Sequence, residues 1–76
     1  MPHVIIKMYA GRSDQLKRKL AEQVTAAVTS VLHLGEESVS VAIEDVTPRN
    51  WDAMVYEPDI LAKPETIYKK PGYQPG

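Results

Sequence analysis

Pro2 is the residue whose type and place suggest chemistry first. An initiator Met before a small residue such as Pro is normally removed, which turns Pro2 into a free secondary amine. A free α-amino group titrates at about 7.7–8.0. Burial or a nearby cation disfavours the protonated form and lowers that value. A neutral amine near pH 7 can take a proton from carbon or oxygen and return it elsewhere. Position alone fits a rigid start to a strand better than it fits a base. The commoner catalytic patterns are missing: there is no phosphate-binding glycine loop, no HExxH, no CxxC and no nucleophile elbow. His3 and His33 are far apart and match no metal-ligand spacing, and without Cys there is neither thiolate nor disulfide.

The surroundings of Pro2 depend on the segments directly after it. His3 to Ala10 (HVIIKMYA) is β-branched and apolar and predicts a strand, with Val4, Ile6 and Met8 on one face and Ile5, Lys7 and Tyr9 on the other. Two apolar faces imply cover on both sides. Gly11 permits a turn, and Ser13 and Asp14 are an N-cap and a first-turn acid for a helix running to about His33. Leu16, Leu20, Val24, Ala27, Val28 and Val31 form its apolar stripe, and Gly35 is placed to be the C′ residue. The Lys17-Arg18-Lys19 run reads as a solvated face. Ser38 to Val46 alternates with period two and predicts a second strand. Strand, helix and strand make a βαβ unit with parallel strands.

Beyond it, Thr47-Pro48 signals a helix start, with a short helix to about Val55. Pro58 and Pro64 are expected to break the next stretch into pieces around Asp59–Ala62 and Glu65–Lys69, before an irregular tail over residues 71–76. The expected organisation is a single α/β (α+β) domain over residues 1–76. Its βαβ core spans 2–46, its short helical segments 47–70. Two strands and one helix do not close a core, so the remaining cover should come from another copy of the chain.

Composition narrows the partners. The 76 residues carry a net charge of −1, which argues against nonspecific nucleic-acid binding. No apolar run spans a bilayer and no basic-then-apolar leader is visible, so a cytoplasmic location is the default expectation.

Met-Pro entering a strand, Gly11-Arg12-Ser13-Asp14 entering a long helix, and Ser38-Val39-Ser40-Val41 entering a second strand together resemble the 4-oxalocrotonate tautomerase family over about residues 2–51. Trp51 and the Lys69-Lys70-Pro71-Gly72-Tyr73 ending look most like its dimeric bacterial branch, described as phenylpyruvate-type tautomerases. The resemblance implies a tautomerase (MIF-like) scaffold completed by oligomerisation, as a homodimer or a hexamer. It implies a cofactor-free isomerase acting on a small enol or 2-keto carboxylic acid, with Pro2 as base. It puts Arg12 where the family binds the substrate carboxylate, a task suited to a bidentate guanidinium. Arg12 as a solvated turn residue remains the plain alternative. Ser40 stands where the hexameric members have a second arginine; a hydroxyl donates a hydrogen bond but brings no charge. Ser40 as an ordinary outward strand residue is the competing reading. Trp51 matches an aromatic lining the pocket, and packing in a core explains it equally well. Lys7 could add positive potential or simply be solvated, and Arg49 could replace the missing cation. Two other functions suit the same scaffold: a non-catalytic ligand-binding or assembly protein, and a hydratase or dehalogenase.

Overall fold

A computed structural model describes residues 1–73. Strand β1 (His3–Tyr9) leads through a turn into helix α1 (Asp14–Leu32), and strand β2 (Ser40–Val46) comes next. The strands pair in parallel from His3↔Ser40 to Tyr9↔Val46, and the Ala10 N–H extends the ladder to the Val46 carbonyl at 3.0 Å. This is the expected βαβ unit. Gly11 makes the turn at φ +125°, a conformation that a side chain would strain. The Ser13 hydroxyl accepts from the Leu16 N–H at 3.2 Å and caps α1, with Asp14 in its first turn.

Side chains that share a rung of a parallel ladder share a face. Val4, Ile6 and Met8 therefore lie with Val41, Ile43 and Asp45, and α1 covers them. Lys17 does not belong to a solvated run as the sequence suggests: its ammonium pairs with Asp45 at 2.6 Å and ties α1 to the end of β2. The expected apolar stripe of α1 is only partly covered. Leu20, Val24 and Val28 are half-buried together with Ala21, Thr25 and Thr29, while Leu16 and Val31 remain 56% and 74% exposed. A sheet of two strands is too narrow to cover the whole stripe.

His3, Ile5, Lys7, Tyr9, Ser40, Ala42, Glu44 and Val46 form the other face. The C-terminal segment covers only its far end. There Val46 and Val55 are the two buried apolar residues, at 5% exposure each, whereas His3, Ile5 and Ser40 lie open. No large side chain among the described residues is wholly enclosed.

Several boundaries differ from expectation. His33, not Gly35, takes the left-handed conformation that ends α1 (φ 57°, ψ 52°), and Gly35 is extended. A 3₁₀ turn (Glu36–Ser38), in which the Ser38 hydroxyl donates to the Gly35 carbonyl at 2.9 Å, delays β2 to Ser40. Thr47 has the extended backbone of a cap but makes no side-chain capping bond, and Pro48–Asn50 is a single 3₁₀ turn. Asp52–Leu61 then forms a π-helix that runs through Pro58 instead of breaking there. The wide i→i−5 turn, seen where the Ala62 N–H meets the Glu57 carbonyl at 3.0 Å, is a local adjustment by which helical turns accommodate irregularity. Pro64–Thr66 is one further 3₁₀ turn, shorter than the piece expected to Lys69. Residues 71–73 of the tail form no regular element, and 74–76 lie outside the described residues.

Val55→Ala is expected to cost about 1–2 kcal/mol, since it removes two methylenes' worth of burial from the best-covered part of the chain. His33→Gly should instead stabilise by about 1 kcal/mol by relieving the left-handed backbone. Chemical-denaturation midpoints of the two variants check both signs.

Candidate active site

The residues singled out by sequence fall into two groups at opposite ends of β1. At the start of the strand, Pro2 is half-buried and its carbonyl accepts from the Ser40 N–H at 3.2 Å. That bond fixes the residue through its carbonyl and leaves its nitrogen outside the ladder. The Ser40 hydroxyl lies 2.6 Å from Nδ1 of His3, its rung partner, and the two share a proton. Met1 is fully exposed ahead of the ladder, so its loss disturbs no packing.

At the far end, Arg12 and Trp51 line a cleft of about 450 Å³ with Lys7, Met8, Tyr9 and Tyr73. The turn at Gly11 carries Arg12 there, and the 3₁₀ turn after β2 delivers Trp51. The Trp51 indole packs edge-on against Tyr9, with ring centroids 5.0 Å apart and planes at 86°. Its Nε1–H donates to the Tyr73 hydroxyl at 3.1 Å. Trp51 thus both packs the fold and faces the cleft. Tyr73 was singled out in sequence only as part of the ending that resembles the dimeric branch; nothing local in the tail points to a partner 22 residues away.

Lys7 is not simply solvated. Its ammonium contacts the Asp59 carboxylate of the π-helix at 2.5 Å, with about a third of each side chain exposed. The hydrogen bond to Asp59 pushes the Lys7 pKa above its ordinary 10.5; desolvation opposes it in part, and the charges of Asp59 and Glu44 add to the rise. Arg12 has no ion-pair partner among the described residues. Arg49 is exposed and does not line the cleft. A larger cavity, about 590 Å³, lies between the π-helix and the tail, and Lys70 is its one charged lining residue. It adjoins neither Pro2 nor Arg12. Among the described residues no three His, Asp or Glu cluster as a metal site would require, and no helix is long and apolar enough to cross a membrane.

The βαβ topology is that of a tautomerase scaffold, and comparison with known proteins agrees. The model of the family described as "Tautomerase enzyme" matches residues 2–55. A probable tautomerase of Xylella fastidiosa is 47% identical over 96% of this chain and 89% of its own length. Tautomerase PptA of Cronobacter sakazakii is 35% identical over 97% of this chain and 99% of its own. The crystal structure of YwhB, a homologue of 4-oxalocrotonate tautomerase, superposes with a TM-score of 0.60 at 42% identity, covering 62% of this chain and 77% of that one. The chain belongs to the tautomerase family, and it is an isomerase.

Because its pKa is raised, Lys7 lends the fold stability that is complete at neutral pH and is lost as pH climbs past 10.5 through the raised value. Asp59→Asn should lower the Lys7 pKa towards 10.5 and so diminish that alkaline loss of stability. An NMR titration of the Lys7 side chain, followed alongside thermal unfolding between pH 8 and about 11, reads both.

Proposed function

We propose that the protein is a cofactor-independent keto–enol tautomerase for small carboxylic acids, in which Pro2 of one protomer acts on a substrate held by Arg12 and Trp51 of its partner. What carries this reading is the convergence of Arg12 and Trp51 on one cleft while Pro2 stands at the other end of β1. Six residue steps at about 3.3 Å place the two ends of that strand roughly 20 Å apart. A small enol acid cannot touch both within one chain. A two-fold assembly would bring one chain's beginning to another's cleft twice over, giving two equivalent sites. Ile5, exposed at the bare end of the second face, is an apolar side chain that such an assembly would bury. A homodimer is the simplest form of it.

In the proposed reaction the neutral Pro2 amine takes the enol hydroxyl proton and delivers one to the adjacent carbon, so the enol becomes the keto acid. Arg12 grips the carboxylate and disfavours the protonated amine. Trp51 packs on an aryl or diene group. The Ser40 hydroxyl, held by His3, offers one neutral hydrogen bond to the substrate oxygen. With one neutral donor there and Lys7 already paired, stabilisation of a strongly anionic hydration intermediate is weak. This favours tautomerisation over a hydratase or dehalogenase activity.

The test is intact-mass analysis of the purified protein together with a phenylpyruvate enol-to-keto assay. Met1 should be absent. Pro2→Ala should lower kcat by about 10²–10⁴, Arg12→Ala should act mainly on KM, and Ser40→Ala should cost about tenfold or less. Retained Met1 would make Pro2 an amide with no basic nitrogen and exclude the mechanism. Cleanly removed Met1 with no enol turnover would favour a non-catalytic binding role for the scaffold.

A further inference from the structure

Two cations, Lys7 and Arg12, line the same cleft, but their charges are not equally available. The Lys7 ammonium is held against Asp59 at 2.5 Å, and both side chains are about two-thirds covered. Glu44 stands on the rung opposite Lys7, on the same face, and adds its own negative charge to that side. Arg12 lacks an ion-pair partner among the described residues. Beside these charges the cleft offers Met8, Tyr9, Trp51 and Tyr73. A ligand entering it therefore meets one available positive charge, one neutralised pair and an aromatic wall.

A single carboxylate on an aromatic or unsaturated body matches that arrangement. A second carboxylate does not. It would face a lysine already satisfied, with the Asp59 carboxylate beside it, and to gain Lys7 it would have to displace Asp59 and leave that acid unpaired. Partly covered charges are less screened by salt than open ones, so the mismatch persists in ordinary buffers.

We propose that Asp59, by pairing with Lys7, sets the charge count of the cleft and selects monoanionic over dianionic acids. Asp59 itself touches no substrate; it determines specificity through Lys7. The proposal rests on the reading that this cleft receives the substrate carboxylate.

Trp51 is the chain's sole tryptophan and lines the cleft, so its fluorescence reports binding directly. Phenylacetate and 1,4-phenylenediacetate are unreactive probes sharing one ring, with one and two carboxylates. In the untagged full chain, Asp59→Asn should tighten phenylenediacetate binding by about three- to fivefold, the worth of a partly exposed charge pair. Phenylacetate affinity should hold within about twofold. The gain should shrink as salt is added. Lys7→Met leaves Asp59 uncompensated and should weaken the dianion relative to phenylacetate, and the double variant Lys7→Met/Asp59→Asn should return the preference to that of the parent. Equal changes for both probes, no change in either single variant, or a gain that survives in the double variant would overturn the proposal. Turnover of phenylpyruvate enol, measured on the same samples, separates this from the catalytic reading. A preserved binding pattern without turnover counts against Pro2 catalysis alone. An active Asp59→Asn protein with unaltered preference counts against the role of Asp59 alone.

Discussion

Two parallel strands joined along seven rungs present two narrow faces and two unpaired edges, and the rest of the molecule is arranged around what that ladder lacks. Neighbouring strands are about 4.8 Å apart, so each face is little wider than one helix. Helix α1 covers one face and overhangs it, which is why Leu16 and Val31 stay in solvent although they belong to its apolar stripe. The C-terminal segment reaches only the Tyr9–Val46 end of the other face and buries Val46 and Val55 there. The opposite end of that face, around Ile5 and Ser40, is left bare. A chain so constructed places its best packing next to the arginine–tryptophan cleft and its least covered surface next to Pro2.

That polarity also organises the electrostatics. The charged side chains of the second face are Lys7 and Glu44, one rung shared between them, and Asp59 reaches in from the π-helix to meet the lysine. On the first face Lys17 and Asp45 play an equivalent part, joining α1 to the end of β2. Both ion pairs join elements remote in sequence and fall in the half of the sheet where the cleft opens. Beside Pro2, by contrast, the Ser40 N–H donates to the proline carbonyl and the Ser40 hydroxyl is hydrogen-bonded to His3, with no ion pair among the described residues there. In the proposed mechanism the Pro2 nitrogen would meet hydrogen-bonding groups from its own chain, and a cation that tunes it would have to come from the partner.

The features legible in the sequence are those written in local signals. β-Branched, apolar composition marked β1, period-two alternation marked the body of β2, and Ser13 with Asp14 marked the start of α1. Glycine at position 11 did what its missing β-carbon allows. Competing local signals were less legible. Gly35 had the residue type for a left-handed cap, but α1 ends two residues earlier, and His33 tolerates the positive φ. Pro58 had the residue type of a helix breaker, yet a wider helix runs through it. The site was legible as candidate residues but not as a constellation. Lys7–Asp59 joins positions 52 apart and Trp51–Tyr73 positions 22 apart, so neither leaves a periodicity or motif to find.

The ladder also has a kinetic side. Every rung, from His3↔Ser40 to Tyr9↔Val46, joins residues separated by the same 37 positions. No hairpin can start it, so the first rung to form bears the entropy of closing the whole crossover loop, and each later rung adds almost none. Helix α1 shortens that loop if it forms first, and its capped start equips it to do so. Folding is thus a search for one long-range contact followed by rapid zipping. In the proposed two-fold assembly a second copy supplies the missing cover, and the last stretch of stability would then come from mass action. Dilution, which leaves an ordinary monomeric domain untouched, would erode this one.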